Sequence, residues 1–193
     1  MGDTFRPRGL PVLIGSLPLA DHEEEARLVF QYTPEIPLWV QLPVYPEEGM
    51  VAQFMPGLPG LATLDGRTCI DASADDFSTA LADFYEAYLA VAEGGADLDA
   101  SRFALAPEIG RGFFVFLEHV AALKTPPAAL KGQVTGPITF TTAVKDQAGR
   151  AIFYDDALRD AAIKRLAENA RWQVRKMSPF GVPVIIFIDE PAL

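Results

Sequence analysis

Val182-Pro183-Val184-Ile185-Ile186-Phe187-Ile188-Asp189-Glu190-Pro191-Ala192-Leu193 is the stretch whose reading decides the fold. Val184 to Ile188 is a run of β-branched and aromatic residues without polar alternation, the pattern of a strand buried on both faces of a parallel sheet. The run ends in two acids, Asp189 and Glu190. Pro191 has no amide hydrogen to give a sheet ladder and biases Glu190 away from helix, so both acids are expected where the strand opens into a loop. In parallel α/β proteins ligands bind at that end of a strand.

Before this strand, Ile163, Leu166, Ala170, Val174 and Met177 form an apolar stripe that predicts a helix from about Asp155 to Met177, broken by Pro179-Phe180-Gly181. Upstream again, Lys131 to Thr135 reads as a strand closed by Gly136-Pro137-Ile138-Thr139. Glycine permits a close backbone approach, and proline suits the first turn of a helix whose amides would face a ligand; a plain strand-to-helix turn fits the same residues.

The rest of the chain repeats the alternation. Val12-Leu13-Ile14, closed by Gly15-Ser16-Leu17-Pro18, reads as the first strand. Asp21 and Glu24 have the spacing of a capping box ahead of a helix to about Gln31. Leu38 to Leu42 is the expected second strand. The Pro- and Gly-rich stretch from Pro43 to Gly60 is either a lid packed over a site or an irregular surface loop. Asp65-Gly66 between Leu61–Leu64 and Arg67–Ile70 predicts a small β-hairpin at 61–70.

A helix opening at Ser73 or Asp75 follows, with Phe77, Leu81, Phe84, Tyr88 and Val91 at helical spacing and Gly94-Gly95 as its stop. Arg102 to Ala106 is the expected third strand, and a helix over about Gly112 to Leu123 should face the core with Phe113, Phe116, Leu117, Val120 and Leu123. His119 in that helix reads as a solvent-side or capping residue.

Strand and helix thus alternate through five main strands, which argues α/β with a parallel sheet, either doubly wound or part of a (β/α)8 TIM barrel. A closed barrel takes about 250 residues. The 193 residues here therefore predict one domain, an incomplete barrel of about five strands.

Half the residues are hydrophobic and 22% are charged, a globular composition. A net charge of −10 without a basic cluster argues against nucleic-acid binding, which rests on neutralising phosphates. One cysteine, Cys69, excludes an internal disulfide framework and fits a reducing compartment. No run reaches the length of a membrane span and Met1 to Gly9 lacks an apolar signal core, so a soluble cytoplasmic protein is expected.

Three punctuated segments carry a family resemblance: Ile14-Gly15-Ser16-Leu17-Pro18, Thr135-Gly136-Pro137-Ile138-Thr139 and Ile188-Asp189-Glu190-Pro191-Ala192-Leu193. Together, and in this order, they resemble the superfamily of cobalamin-independent methionine synthase and uroporphyrinogen decarboxylase. The last segment is most similar to the catalytic barrel of methionine synthase. The resemblance implies a TIM barrel that transfers a methyl group from methyltetrahydrofolate or another donor to a zinc-activated thiol such as homocysteine.

It further implies that Ile14, Gly15 and Ser16 hold the substrate carboxylate and that Asp189 binds its amino group. A second amino-binding glutamate follows strand two in the family, and Glu47 or Glu48 is the nearest match. The family's zinc ligands, a His-x-Cys pair followed by a Glu and a further Cys, find no counterpart, and His22, His119 and Cys69 lack ligand spacing. The expectation is a fragment inactive by itself, completed by a missing C-terminal half or by a homo-oligomer that covers the open sheet edge. A decarboxylase, a corrinoid-protein methyltransferase and a non-catalytic assembly module are the competing readings.

Overall fold

The computed structural model describes residues 5–193. Among them are five α-helices, α1 (His22–Tyr32), α2 (Phe77–Ala92), α3 (Arg111–Ala121), α4 (Pro137–Ala143) and α5 (Asp156–Met177), and four strands, β1 (Leu61–Leu64), β2 (Arg67–Ile70), β3 (Leu130–Thr135) and β4 (Val184–Asp189). The fold is mixed α/β. The strands form two sheets of two, β1 with β2 and β3 with β4, and no closed barrel is present among the described residues.

The chain falls into two compact units, one of residues 1–50, 106–133 and 173–187, the other of 51–105, 134–172 and 188–193. In the first unit, three backbone segments run parallel. Ser16 bridges Gln41, and Leu38 bridges Lys131 at the start of β3. Val29, Leu38, Val40 and Leu42 are fully buried together, with Leu17, Leu19 and Tyr45 packed on them. Helix α1 starts as its sequence dictates, with the Asp21 carboxylate accepting from the Glu24 amide at 2.9 Å. It pairs with α3 through Phe30, which stacks on Phe116 and His119 with ring centroids 5.8 and 5.5 Å apart.

The second unit contains the β1–β2 hairpin, with Asp65 and Gly66 both in the left-handed region as a type I′ turn requires. Ile70 at its end continues into a parallel bridge with Asp146. Phe84, Phe103 and Tyr88 pack edge to face, with centroids 5.6 and 6.5 Å apart.

Several expectations are corrected. Val12–Ile14 and Leu38–Leu42 are not strands; only single bridges at Ser16, Leu38 and Gln41 form there. Arg102–Ala106 is no strand either, and Leu38 bridges Lys131 directly. The Phe103 carbonyl is taken up by side chains of α5, accepting from Arg165 Nη1 at 2.8 Å and Asn169 Nδ2 at 2.9 Å. Strand β4 is not buried on both faces: every residue of it is half-buried or exposed, whereas all six of β3 are buried. Apolarity sets what a strand prefers, and neighbours decide what it gets.

The stripe of α5 is also rotated from its expected place. Leu166 and Met177 are buried, but Ile163 and Val174 are exposed, and Arg165, Asn169 and Gln173 are buried instead because each finds acceptors or donors inside. In the Pro43–Gly60 stretch, Glu48 is buried in the first unit, and Gln53, Phe54, Met55 and Leu58 are buried in the second. Arg165 Nε pins the Pro56 carbonyl at 2.8 Å.

Gly112 on α3 lies where a Cβ would overlap the Val40 carbonyl oxygen, a backbone atom that cannot swing away. Gly112→Ala should lower unfolding stability by about 2–3 kcal/mol, measurable as a reduced denaturation midpoint at unchanged slope.

Candidate functional site

In the first unit, β3 alternates its side chains, and Lys131 and Gln133 share one face. Both are buried. Lys131 Nζ donates to the Ile14 carbonyl oxygen and to Gln133 Oε1 at 3.1 Å, and sits 4.3 Å from the centre of the Phe187 ring. Gln133 Nε2 donates to the Trp39 carbonyl at 2.9 Å. Gln173 Nε2 donates to the Gln133 carbonyl at 2.8 Å, while its Oε1 accepts from Trp39 Nε1 at 2.9 Å and from the Gln133 amide at 3.2 Å. Buried polar groups left unmatched are costly, and this set is matched member to member.

The network holds the Ile14-Gly15-Ser16 segment. Gly15 is buried, and a Cβ there would stand 3.1 Å from the Gln133 amide, closer than side chains tolerate without a shift. Its carbonyl accepts from the Gln41 amide at 2.8 Å, and the Leu17 amide donates to the Gln41 carbonyl at 3.2 Å. Ile14 and Ser16 are exposed. Ser16 opens an apolar cleft of about 650 Å³ that continues along Leu17 to Ala20 and is closed by Pro43 and Val44. The three segment residues are thus a backbone turn fixed from below and open above.

Glu48 is fully buried. It accepts from His22 Nε2 at 3.0 Å, from Arg111 Nε at 3.0 Å and from the Leu42 amide at 3.2 Å. Glu47 is exposed and pairs with Arg111 Nη2 at 2.6 Å, and the Arg111 guanidinium lies 4.4 Å over the Tyr45 ring. Nearby, Glu25 of α1 is buried, and its Oε2 has no hydrogen-bond partner among the described residues. Burial first, and the charge of Glu48 second, push its carboxyl up to about 8. His119 Nε2 meets Glu23 at 2.8 Å at the surface.

In the second unit, β4 delivers Asp189 and Glu190 to the strand end. The Gly136 amide donates to the Asp189 carbonyl at 2.7 Å, and Asp189 is half-buried. The Glu190 carboxylate occupies the start of α4: Oε1 accepts from the Ile138 amide at 2.9 Å and Oε2 from the Thr139 amide at 2.7 Å, while the Ala192 amide donates to Thr139 Oγ1 at 3.1 Å. The amides expected to face a ligand after Gly136-Pro137 are therefore held by Glu190. Partial burial raises its carboxyl, but the hydrogen bonds from Thr139 and Ile138 outweigh this and leave it below the usual carboxylate range. A Cβ at Gly136 would overlap the Glu190 carboxyl group, so a larger residue there would displace that side chain from the amides.

Among the described residues no three His, Cys, Asp or Glu side chains gather as a metal site. His22 and His119 each engage a glutamate, and Cys69 is buried on β2. The donor set that the family's zinc needs does not fit what is present. No helix among the described residues is long and apolar enough to cross a membrane. Comparisons with protein-family models, with curated proteins and with solved structures return no match.

Sequence reasoning missed Lys131, Gln133 and Glu25, and named Glu48 without its partners His22 and Arg111. For the first two a signal existed, since two polar residues spaced by two in a strand otherwise read as interior must share a buried face and find partners there.

Two acids should reveal opposite environments. The Glu25 carboxyl is raised, so the folded state holds its proton longer than the unfolded chain does. Stability should fall as pH rises from about 4.5 to about 8, by at most about 1.4 kcal/mol per pH unit, and Glu25→Gln should flatten that slope in denaturant titrations. Glu190 is lowered, so its contribution is present above about 4.5 and fades as the pH falls through its folded value. Glu190→Gln should cost about 1 kcal/mol at neutral pH, as for a lost helix cap, and little in acid.

Proposed function

We propose that this chain is the substrate-binding portion of a methionine synthase-like methyltransferase, and that its β3–β4 pair and the bridged segments before it belong to a (β/α)8 arrangement. The observation that carries the reading is the Ile14-Gly15-Ser16 turn, anchored through Lys131, Gln133 and Gln41 and exposed at Ser16 beside an apolar cleft. A turn of this kind offers amides and a hydroxyl to a carboxylate, and the cleft suits the aliphatic and sulfur part of a thiol amino acid.

Glu48 acts in this reading as an anchor rather than a free acid, because its oxygens already accept from His22, Arg111 and the Leu42 amide. Zinc and a donor such as methyltetrahydrofolate belong to the methyl transfer that the resemblance implies. The role proposed for this chain's residues is binding and orientation of the acceptor, and no chemical step is derived from them. Among the described residues, strand β4 pairs with β3 alone and is largely half-buried, so the reading also calls for a further strand on its outer edge, from a second copy or another part of the polypeptide.

Isothermal titration of the chain with homocysteine is the test. Binding is expected, with Ser16→Ala weakening it about tenfold, the worth of one hydrogen bond to a charged group. Absence of binding, or binding indifferent to that substitution, would overturn the proposal.

A further inference from the structure

We infer that Lys131 is a positioning residue for ligand carboxylates: its ammonium, fixed on the Ile14 carbonyl beneath the Ile14-Gly15-Ser16 turn, gives that turn its selectivity for an anionic group. The inference rests on the reading of this turn as the carboxylate-binding segment. Three observations within the first unit carry it. Lys131 is fully buried, and its Nζ donates directly to the backbone of the turn and to Gln133, whose own side chain packs under Gly15. The Phe187 ring, 4.3 Å from Nζ, holds the ammonium on its other contact. The turn itself is neutral, so a nearby source of positive charge is what distinguishes a carboxylate from an uncharged group of the same size.

The physical route is twofold. A cation donating to the Ile14 carbonyl polarises the following peptide, strengthening the Gly15 amide as a donor. Being screened from water, its charge is also felt above the turn more strongly than a surface lysine's would be. Lys131 need not touch the ligand for either effect. A lysine with a purely structural task would instead stabilise the turn for every ligand alike.

That difference sets the experiment. Homocysteine and 3-aminopropane-1-thiol, which lacks only the carboxylate, are titrated into the wild-type chain, Lys131→Met and Lys131→Gln. The second variant keeps a donor for the Ile14 carbonyl without the charge, and carries the test if the first fails to fold. Wild type should prefer homocysteine by about tenfold or more. Lys131→Gln should lose that preference while binding the decarboxylated analogue within about twofold of wild type, whereas Lys131→Met, which also removes the donor to the Ile14 carbonyl, should bind both ligands more weakly and without preference. Retained preference in a folded variant, or equal loss of both ligands in Lys131→Gln, would overturn the positioning role alone. Wild type that binds neither ligand, or both equally, would overturn the carboxylate reading of the turn and this inference with it.

Discussion

The interior face of β3 imposes the constraint that organises the first unit. A strand presenting Lys131 and Gln133 inward must supply each with partners, since an ammonium or amide buried without them costs several kcal/mol. The partners come from separate parts of the chain: the Ile14 carbonyl for Lys131, the Trp39 carbonyl for the Gln133 side chain, and the Gln173 amide near the end of α5 for the Gln133 backbone. Gly132, between the two polar residues, faces the other way and is equally bound, because a Cβ there would overlap Gln173 Oε1. Two alternate positions of one strand thus fix where three other segments lie.

Carboxylates in this protein illustrate how neighbours, and not residue type, set charge. Glu25 and Glu190 are both glutamates near a helix start in sequence or space. Glu25 lies buried beside another glutamate, one oxygen without a partner among the described residues, and its carboxyl is pushed up to about 8. Glu190 accepts two backbone amides at the first turn of α4 and is ionised more readily than usual. Glu48, more buried than either, is compensated by an imidazole, a guanidinium and an amide. Donors facing each oxygen decide the outcome in all three.

What could be read in advance follows the range of the interactions concerned. The Asp65-Gly66 hairpin and the Asp21 cap are local, and both form as their residues specify. β3, β4 and the span of α5 also follow from short-range pattern. The failures are long-range. Glu190 reaches back to amides about fifty positions earlier, which no window of sequence displays. Arg102–Ala106 has the composition of a strand, yet its Phe103 carbonyl meets side chains of α5 in place of a ladder. Arg165, Asn169 and Gln173 lie outside the expected apolar stripe of α5, and are buried because hydrogen-bond partners meet each one. Of the site, the Ile14–Ser16 turn was visible as punctuation; the lysine beneath it was visible only as a polar residue in an apolar strand.

The turn's dependence on side chains has a further consequence. In a regular parallel sheet, a strand end is held by a ladder of backbone bonds, each adding about 0.5–1.5 kcal/mol, so no single residue decides its position. Here the segment through Ser16 has one bridge to Gln41 and two backbone bonds around it. The remaining restraint comes from the Lys131 ammonium and from the Gln133 side chain under Gly15. An apolar residue at 131 would avoid the desolvation of a charge and pack well against Phe187. It would also leave the Ile14 carbonyl without its donor. Stability of the interior and placement of the turn therefore pull residue 131 in opposite directions, and the lysine present favours placement.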